Sequence, residues 1–170
     1  RSDGNVGVRN WVHIVPASMC AAHEARQIAQ RAETALYSRE GYPNVDGVTA
    51  ITHDGGCACP DPTVETKGPG ALEATLRMLA QHIRHPNVGA AIIVELGCEK
   101  TNLNAFDAYY GTDDLSAHYG KPVRRLSIQQ LGGTQATIEA GLALMPGLLA
   151  AANATAREPA PLSKLALGLE

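Results

Sequence analysis

Val12-His13-Ile14-Val15, Val48-Thr49-Ala50-Ile51 and Ala91-Ile92-Ile93-Val94 are three short apolar runs, and a cysteine follows each of them closely: Cys20, Cys57 and Cys98. Runs of this length, rich in β-branched residues, read as buried strands. In an open α/β sheet, ligands bind outside the carboxyl ends of parallel strands. Neighbouring strands of this kind would gather the three sulfurs on one edge, where such sheets do their chemistry.

Outward from these runs, the chain alternates strand and helix. A strand is expected over Trp11 to Pro16, followed by a helix with Ala21, Ala25, Ile28, Ala32 and Leu36 on one stripe. Gly41-Tyr42-Pro43-Asn44 breaks that helix, and Val45 to Thr52 reads as the second strand. The loop from Asp54 to Pro69 is long enough to be functional or mobile. Gly70 to His85 reads as a helix burying Leu72, Leu76, Leu79 and Ile83, with Pro86 and Asn87 ending it. Ala90 to Leu96 is the third strand, and Asn102 to Tyr119 is helical with a break near Gly111. Val123 to Gln129 is the fourth strand, and Gly132-Gly133-Thr134 opens a long helix with Ile138, Leu142 and Met145 inside and a kink or restart at Pro146. The expected fold is α/β: a three-layer, Rossmann-like or flavodoxin-like domain. Its mainly parallel sheet has at least four strands, with helices on both faces. Residues 1–156 form that domain; 157–170 are a linker and the start of a further region, with Ser163 to Leu169 reading as the beginning of a strand.

Bulk properties narrow the function. At 170 residues, with 45% hydrophobic and 18% charged residues, the chain has material for one ordinary globular core. A net charge of −3 argues against electrostatic binding to nucleic acid or anionic lipid. No run of apolar residues reaches the roughly 18 needed to cross a bilayer, and Arg1-Ser2-Asp3-Gly4 lacks signal-peptide character. The four cysteines are not spaced like a small secreted disulfide framework, so they read as thiols in a reducing cytosol.

Several motifs carry chemistry, each beside a plainer reading. His53-Asp54-Gly55-Gly56-Cys57-Ala58-Cys59 follows the second strand; imidazole and thiolate suit zinc or ferrous iron, and the glycines let His53 and Cys57 reach one ion. The plainer reading is a buried thiol beside a loop histidine. Gly97-Cys98-Glu99-Lys100 places a thiol and a candidate base or ligand directly after the third strand, or else an inert cysteine and a solvated Glu–Lys pair. Cys20 and His23 share a helix face as a metal pair, or as a small buried cysteine beside an exposed histidine. Arg9 can grip a carboxylate with two parallel bonds, or hold a structural salt bridge. Gln129, Gln130, Gly132, Gly133 and Thr134 suggest a weak anion-binding corner without the lysine of a P-loop. His82 and His85 close a helix, where cationic side chains are favoured structurally.

Taken together and in order, these blocks resemble the altronate/galactarate dehydratase family of sugar-acid hydro-lyases, which includes sulfolactate sulfo-lyase large subunits. The matching residues are Arg1-x-Asp3-Gly4-x-x-Gly7-x-Arg9-Asn10, Thr52-His53-x-x-Gly56-Cys57, His85-Pro86-Asn87 and Leu96-Gly97-Cys98-Glu99. They continue through Gln129 to Arg157-Glu158-Pro159 and Leu167-Gly168-Leu169. Cys59 and the proline-rich Asp61 to Gly70 loop depart from the family pattern. The resemblance implies a central domain, with further domains or a second subunit as partners and little activity as an isolated piece. It also implies a divalent metal, iron(II) or manganese, held by His53, Cys57 and Cys98, with His53 and Glu99 as candidate acid and base. Arg9, Asn10 and Gln129 are the implied substrate contacts, the substrate a sugar acid, the setting cytoplasmic, and a homo-oligomer compatible with all of this. The alternatives left open are a carbon–sulfur lyase domain and a non-catalytic binding or assembly module. Redox sensing through Cys57 and Cys59 is a further possibility.

Overall fold

The computed structural model describes residues 4–58 and 70–164. Four strands, β1 (Trp11–Pro16), β2 (Gly47–Ala50), β3 (Val88–Glu95) and β4 (Val123–Ser127), form one parallel sheet in the order β2-β1-β3-β4. Val12 lies opposite Val48 on one side and Ala90 on the other, and Val94 lies opposite Leu126. The chain steps from β1 out to β2, crosses back to β3, and continues the other way to β4. The direction therefore reverses between β1 and β3, the switch point of the flavodoxin-like alternative.

Helices α1 (Ala22–Ala35), α2 (Ala71–Arg84), α3 (Leu103–Tyr110), α4 (Leu115–Tyr119), α5 (Ile128–Leu131) and α6 (Thr134–Asn153) complete the order. Side chains alternate across a strand, and β3 is buried along its whole length, so it feeds two cores. Ala90, Ile92 and Val94 pack with Ala25, Ile28, Ile138, Met145 and Leu149, under α1 and α6. Ala91 and Ile93 pack with Leu76, Leu79, Ile83, Phe106 and Leu115, under α2, α3 and α4. Each fully buried isoleucine contributes about 1.5–3 kcal/mol. The result is the three-layer α/β arrangement with helices on both faces.

Element boundaries agree closely at β1, α2 and β3 and differ elsewhere for local reasons. β2 is shorter than expected because Val45 donates to the Tyr42 carbonyl and stays in the preceding turn. β4 ends at Ser127, where the chain turns into α5 and the Gln129 amide donates to the Leu96 carbonyl. The helical stretch after β3 does break at Gly111; Asn102 caps its first half and Asp114 its second. Pro146 neither breaks nor restarts α6, which is one helix of 20 residues. Pro146 is exposed, so water can meet the carbonyl it leaves unbonded. α6 also corrects the membrane test above: by length and apolarity it is sufficient to cross a bilayer. Here Ile138, Met145, Leu148 and Leu149 are core residues instead. Leu162–Lys164 form a 3-10 turn rather than the start of a strand, and the rest of that expected strand, residues 165–169, lies outside the described residues.

Candidate functional site

The loops leaving β1, β2 and β3 are tied into one knot at the carboxyl edge of the sheet. Glu99 is its centre. Its side chain is 1% exposed, yet it has three donors: Oε1 accepts from the Leu96 amide (2.7 Å) and the buried Ser18 hydroxyl (3.2 Å), and Oε2 from the Gly97 amide (2.6 Å). A buried carboxylate is tolerable only when so bonded. Thr101, fully buried, donates to the Ala17 carbonyl (2.5 Å) and lies 3.1 Å from the Gly56 carbonyl. The Met19 amide donates to the Gly55 carbonyl (2.9 Å), joining the β1 and β2 loops again.

Two glycines make this closeness possible. Gly56 has φ 94°, and a Cβ there would stand 2.6 Å from Thr101 Oγ1 and 2.8 Å from the Ala17 carbonyl oxygen. Gly97 has φ 121°, and a Cβ there would stand 2.7 Å from Gln129 Oε1. A side chain at either position meets backbone strain; at Gly56 it also collides with the Ala17 and Ser18 backbone, whereas at Gly97 the exposed Gln129 side chain would have to move aside.

All three cysteines lie on this carboxyl edge, as the strand pattern expected. Cys20 and Cys98 are exposed and Cys57 is half-buried. The Cys57 thiol is in hydrogen-bond contact with Cys20, which is the main cause of its raised pKa. Repulsion from Cys20, partial burial, and the charges of Cys98 and Glu99 push it in the same direction. Cys20 thus departs from the expected buried position: it stands in solvent at the entrance to α1.

Comparison with known proteins fixes the lineage of this edge. The sequence profile of the family described as D-galactarate dehydratase/altronate hydrolase, second domain, matches residues 1–153. The chain belongs to that family. It is 34% identical over 171 residues to an altronate dehydratase of Escherichia coli (strain K12), covering 100% of this chain and 30% of that protein. It is 30% identical over 172 residues to an altronate dehydratase of Bacillus subtilis (strain 168), with the same coverage. The chain therefore spans about 30% of the length of these curated relatives. No solved structure matches it.

Not every residue singled out for this dehydratase-family domain reaches the knot. His53 does, but both ring nitrogens are engaged. Nδ1 accepts the Gly55 amide (3.2 Å), which leaves the proton on Nε2, 3.0 Å from the Pro16 carbonyl oxygen. Among the described residues no three His, Cys, Asp or Glu side chains come together as a metal-holding group. The donors on this edge are chemically suited to a soft or borderline metal, but His53, Cys57 and Cys98 do not form a complete set as they stand. Gln129 is exposed at the same edge, its side chain lying over Gly97. Cys59 lies outside the described residues.

Arg9 and Asn10 precede β1 and so lie at the opposite, amino edge, about 20 Å away by the rise of a six-residue strand. Asn10 is buried and stitches the chain, its side chain donating to the carbonyls of Asn44 and Ala152 (both 2.8 Å). Arg9 pairs with Asp46 (3.6 Å), as do Arg39 (3.4 Å) and Arg157 (2.7 Å). Burial raises the Asp46 carboxyl, but the Asn10 amide and the three guanidinium groups outweigh it and hold the pKa below the usual value. A cleft of about 410 Å³ opens beside Arg9 and Arg157.

Sequence reasoning missed Ser18 and Thr101, whose place just past β1 and β3 was the available signal. It also missed Glu24, a buried carboxylate in the first turn of α1 that accepts the Thr134 hydroxyl of α6 (2.7 Å).

Proposed function

We propose that this domain is one part of a sugar-acid hydro-lyase acting on an altronate- or galactarate-type acid, and that its carboxyl edge between β1 and β3 lines the reaction site. The observation that carries this reading is the knot of three strand-end loops at the switch point, bearing Cys20, Cys57 and Cys98, with Gln129 of α5 lying against it. Family membership supports the reaction class.

Dehydrating such an acid removes the proton beside the carboxylate and expels the neighbouring hydroxyl. Negative charge accumulates on the former carboxylate, and positive charge placed there lowers the barrier. A divalent ion, iron(II) or manganese, supplies that charge when bound. Cys57 and Cys98 are this domain's donors in the proposal, with the remaining ligands coming from elsewhere in the longer protein. Gln129 offers an amide to a substrate hydroxyl or carboxylate. His53 and Glu99 act by position: each holds a loop through bonds that a proton-transfer role would break. The exposed thiols suit a reducing cytosol.

The test uses the full-length protein with altronate and galactarate, measuring the 2-keto-3-deoxy acid formed. Activity with one of them, and a fall in kcat of about tenfold or more in Gln129→Ala at unchanged stability, is the expected result. Full hydrogen bonding of His53 and Glu99 favours a competing reading, a binding module without catalysis. That reading wins if carboxyl-edge substitutions leave kcat and KM untouched.

A further inference from the structure

Cys20 and Cys57 belong to different loops, yet the backbone holds the two loops side by side. The contact is built in rather than accidental. The Met19 amide, next to Cys20, is bonded to the Gly55 carbonyl (2.9 Å), and the backbone of Gly56, next to Cys57, packs against Ala17 and Ser18. Both loops are also tethered through the buried Thr101 hydroxyl. Cys20 is exposed and Cys57 half-exposed, so small oxidants can reach the pair. We propose that Cys20 and Cys57 form a peroxide-sensitive dithiol that closes into a disulfide across the mouth of the carboxyl edge.

The chemistry balances with a hydroperoxide as oxidant. The Cys20 thiolate attacks the peroxide oxygen, the O–O bond breaks, and Cys20 becomes a sulfenic acid as the peroxide leaves as water or an alcohol. The Cys57 sulfur then attacks the Cys20 sulfur, the S–O bond breaks, and water departs with the thiol proton. Two thiols lose two electrons and two protons; the peroxide gains them. The order follows from exposure: Cys20 is the more accessible sulfur and meets the peroxide first, so Cys57 resolves. The product pins the start of α1 to the β2 loop and removes Cys57 as a donor. That last consequence rests on the function proposed above; the disulfide itself does not.

The experiment treats the reduced protein, with and without prior chelation, with a few equivalents of hydrogen peroxide. Free thiols are alkylated and the peptides mapped by mass spectrometry. The expected product is a cross-link of the Cys20 and Cys57 peptides, lighter by two hydrogens, present in Cys59→Ser and absent in Cys20→Ser. Because Cys57 and Cys59 share a tryptic peptide, the Cys59→Ser variant fixes the assignment. A Cys57–Cys59 or Cys57–Cys98 bond instead, or oxidation of Cys20 to the sulfinic acid without any cross-link, overturns the proposal. No substrate enters the measurement, so it fails or stands apart from the dehydratase reading.

Discussion

His13 illustrates what a single position in this fold costs and contributes. It sits in β1 with its ring largely buried, its Nδ1 atom lacking a hydrogen-bond partner, and its pKa lowered to about 4. Burial is the main cause, followed by the charges of His82, His85 and Lys121. Lys121 is fixed there because its ammonium caps α2, donating to the carbonyls of Ile83 (3.1 Å) and His85 (3.0 Å) and to that of Val88 (2.9 Å). In the unfolded chain His13 titrates near its ordinary value, so between about pH 6.5 and 4 the unfolded state binds a proton that the folded state refuses. Stability is full above that window and falls as pH drops through it, by up to about 3 kcal/mol. Urea denaturation at pH 7 and pH 4.5 should show this loss, and His13→Leu should remove most of the difference. An unchanged pH slope in the variant would assign the loss to other groups. Such partners explain why residue-scale reading ran short at His53: its motif suggested a ligand, but the ring's two bonds go to Pro16, distant in sequence, and to a turn whose geometry no spacing rule encodes.

Elements were far more legible than partners, because apolar period survives in sequence where side-chain bonding does not. β3 is a run of buried residues, β1 buries all but Trp11 and His13, and α2 carries its stripe of Leu76, Leu79 and Ile83, so their cores follow from pattern alone. α6 was harder. Its Pro146 suggested a kink, and the decisive residue on its inner face is Gly141, which has no apolar signal at all. A Cβ at Gly141 would stand 2.5 Å from Ile28 Cδ1 and 2.8 Å from Ile28 Cγ1, and Ile28 is fully buried. The glycine thus sets how closely α1 and α6 approach. Alanine at this position gains about 1 kcal/mol of helix propensity, against an overpacking cost of about 1–3 kcal/mol. Gly141→Ala should therefore be destabilising by about 1 kcal/mol in chemical denaturation. Ile28→Val, which removes the Cδ1 atom in question, should cost less in the alanine background than in the wild type. Additive effects in that double-mutant cycle would mean that the helices shift apart freely.

At the scale of the whole molecule, the sheet separates two groups of residues that the sequence motifs had placed together. In a parallel sheet, whatever precedes a strand lies at its amino end and whatever follows lies at its carboxyl end. Arg9 and Asn10 lead into β1, while Cys57, Cys98 and Glu99 follow β2 and β3, so topology alone sets them on opposite edges. What sequence could not supply was strand order: the β2-β1-β3-β4 arrangement, and hence the switch point, depends on pairings between distant residues. The amino edge has its own logic. Arg9, Arg39 and Arg157 converge on Asp46, whose side chain is 4% exposed, and Arg157 also donates to the Val8 carbonyl (2.8 Å), fastening the segment after α6 to the one before β1. Arg9 is 58% exposed, and its pair is the longest of the three. Exposed pairs of this kind are worth about 0–1 kcal/mol, and Asp46 keeps two other guanidinium partners when Arg9 is lost. Arg9→Ala should therefore lower stability by less than about 1 kcal/mol. On the function proposed above, Arg9→Ala should also leave the kcat and KM of the full-length protein for altronate or galactarate within about twofold of wild type, while Gln129→Ala lowers kcat. Steady-state kinetics on both variants, beside their denaturation midpoints, decide the matter. A KM raised tenfold in Arg9→Ala at unchanged stability would place the substrate carboxylate in the cleft beside Arg157 and move the reaction site to the other end of the sheet.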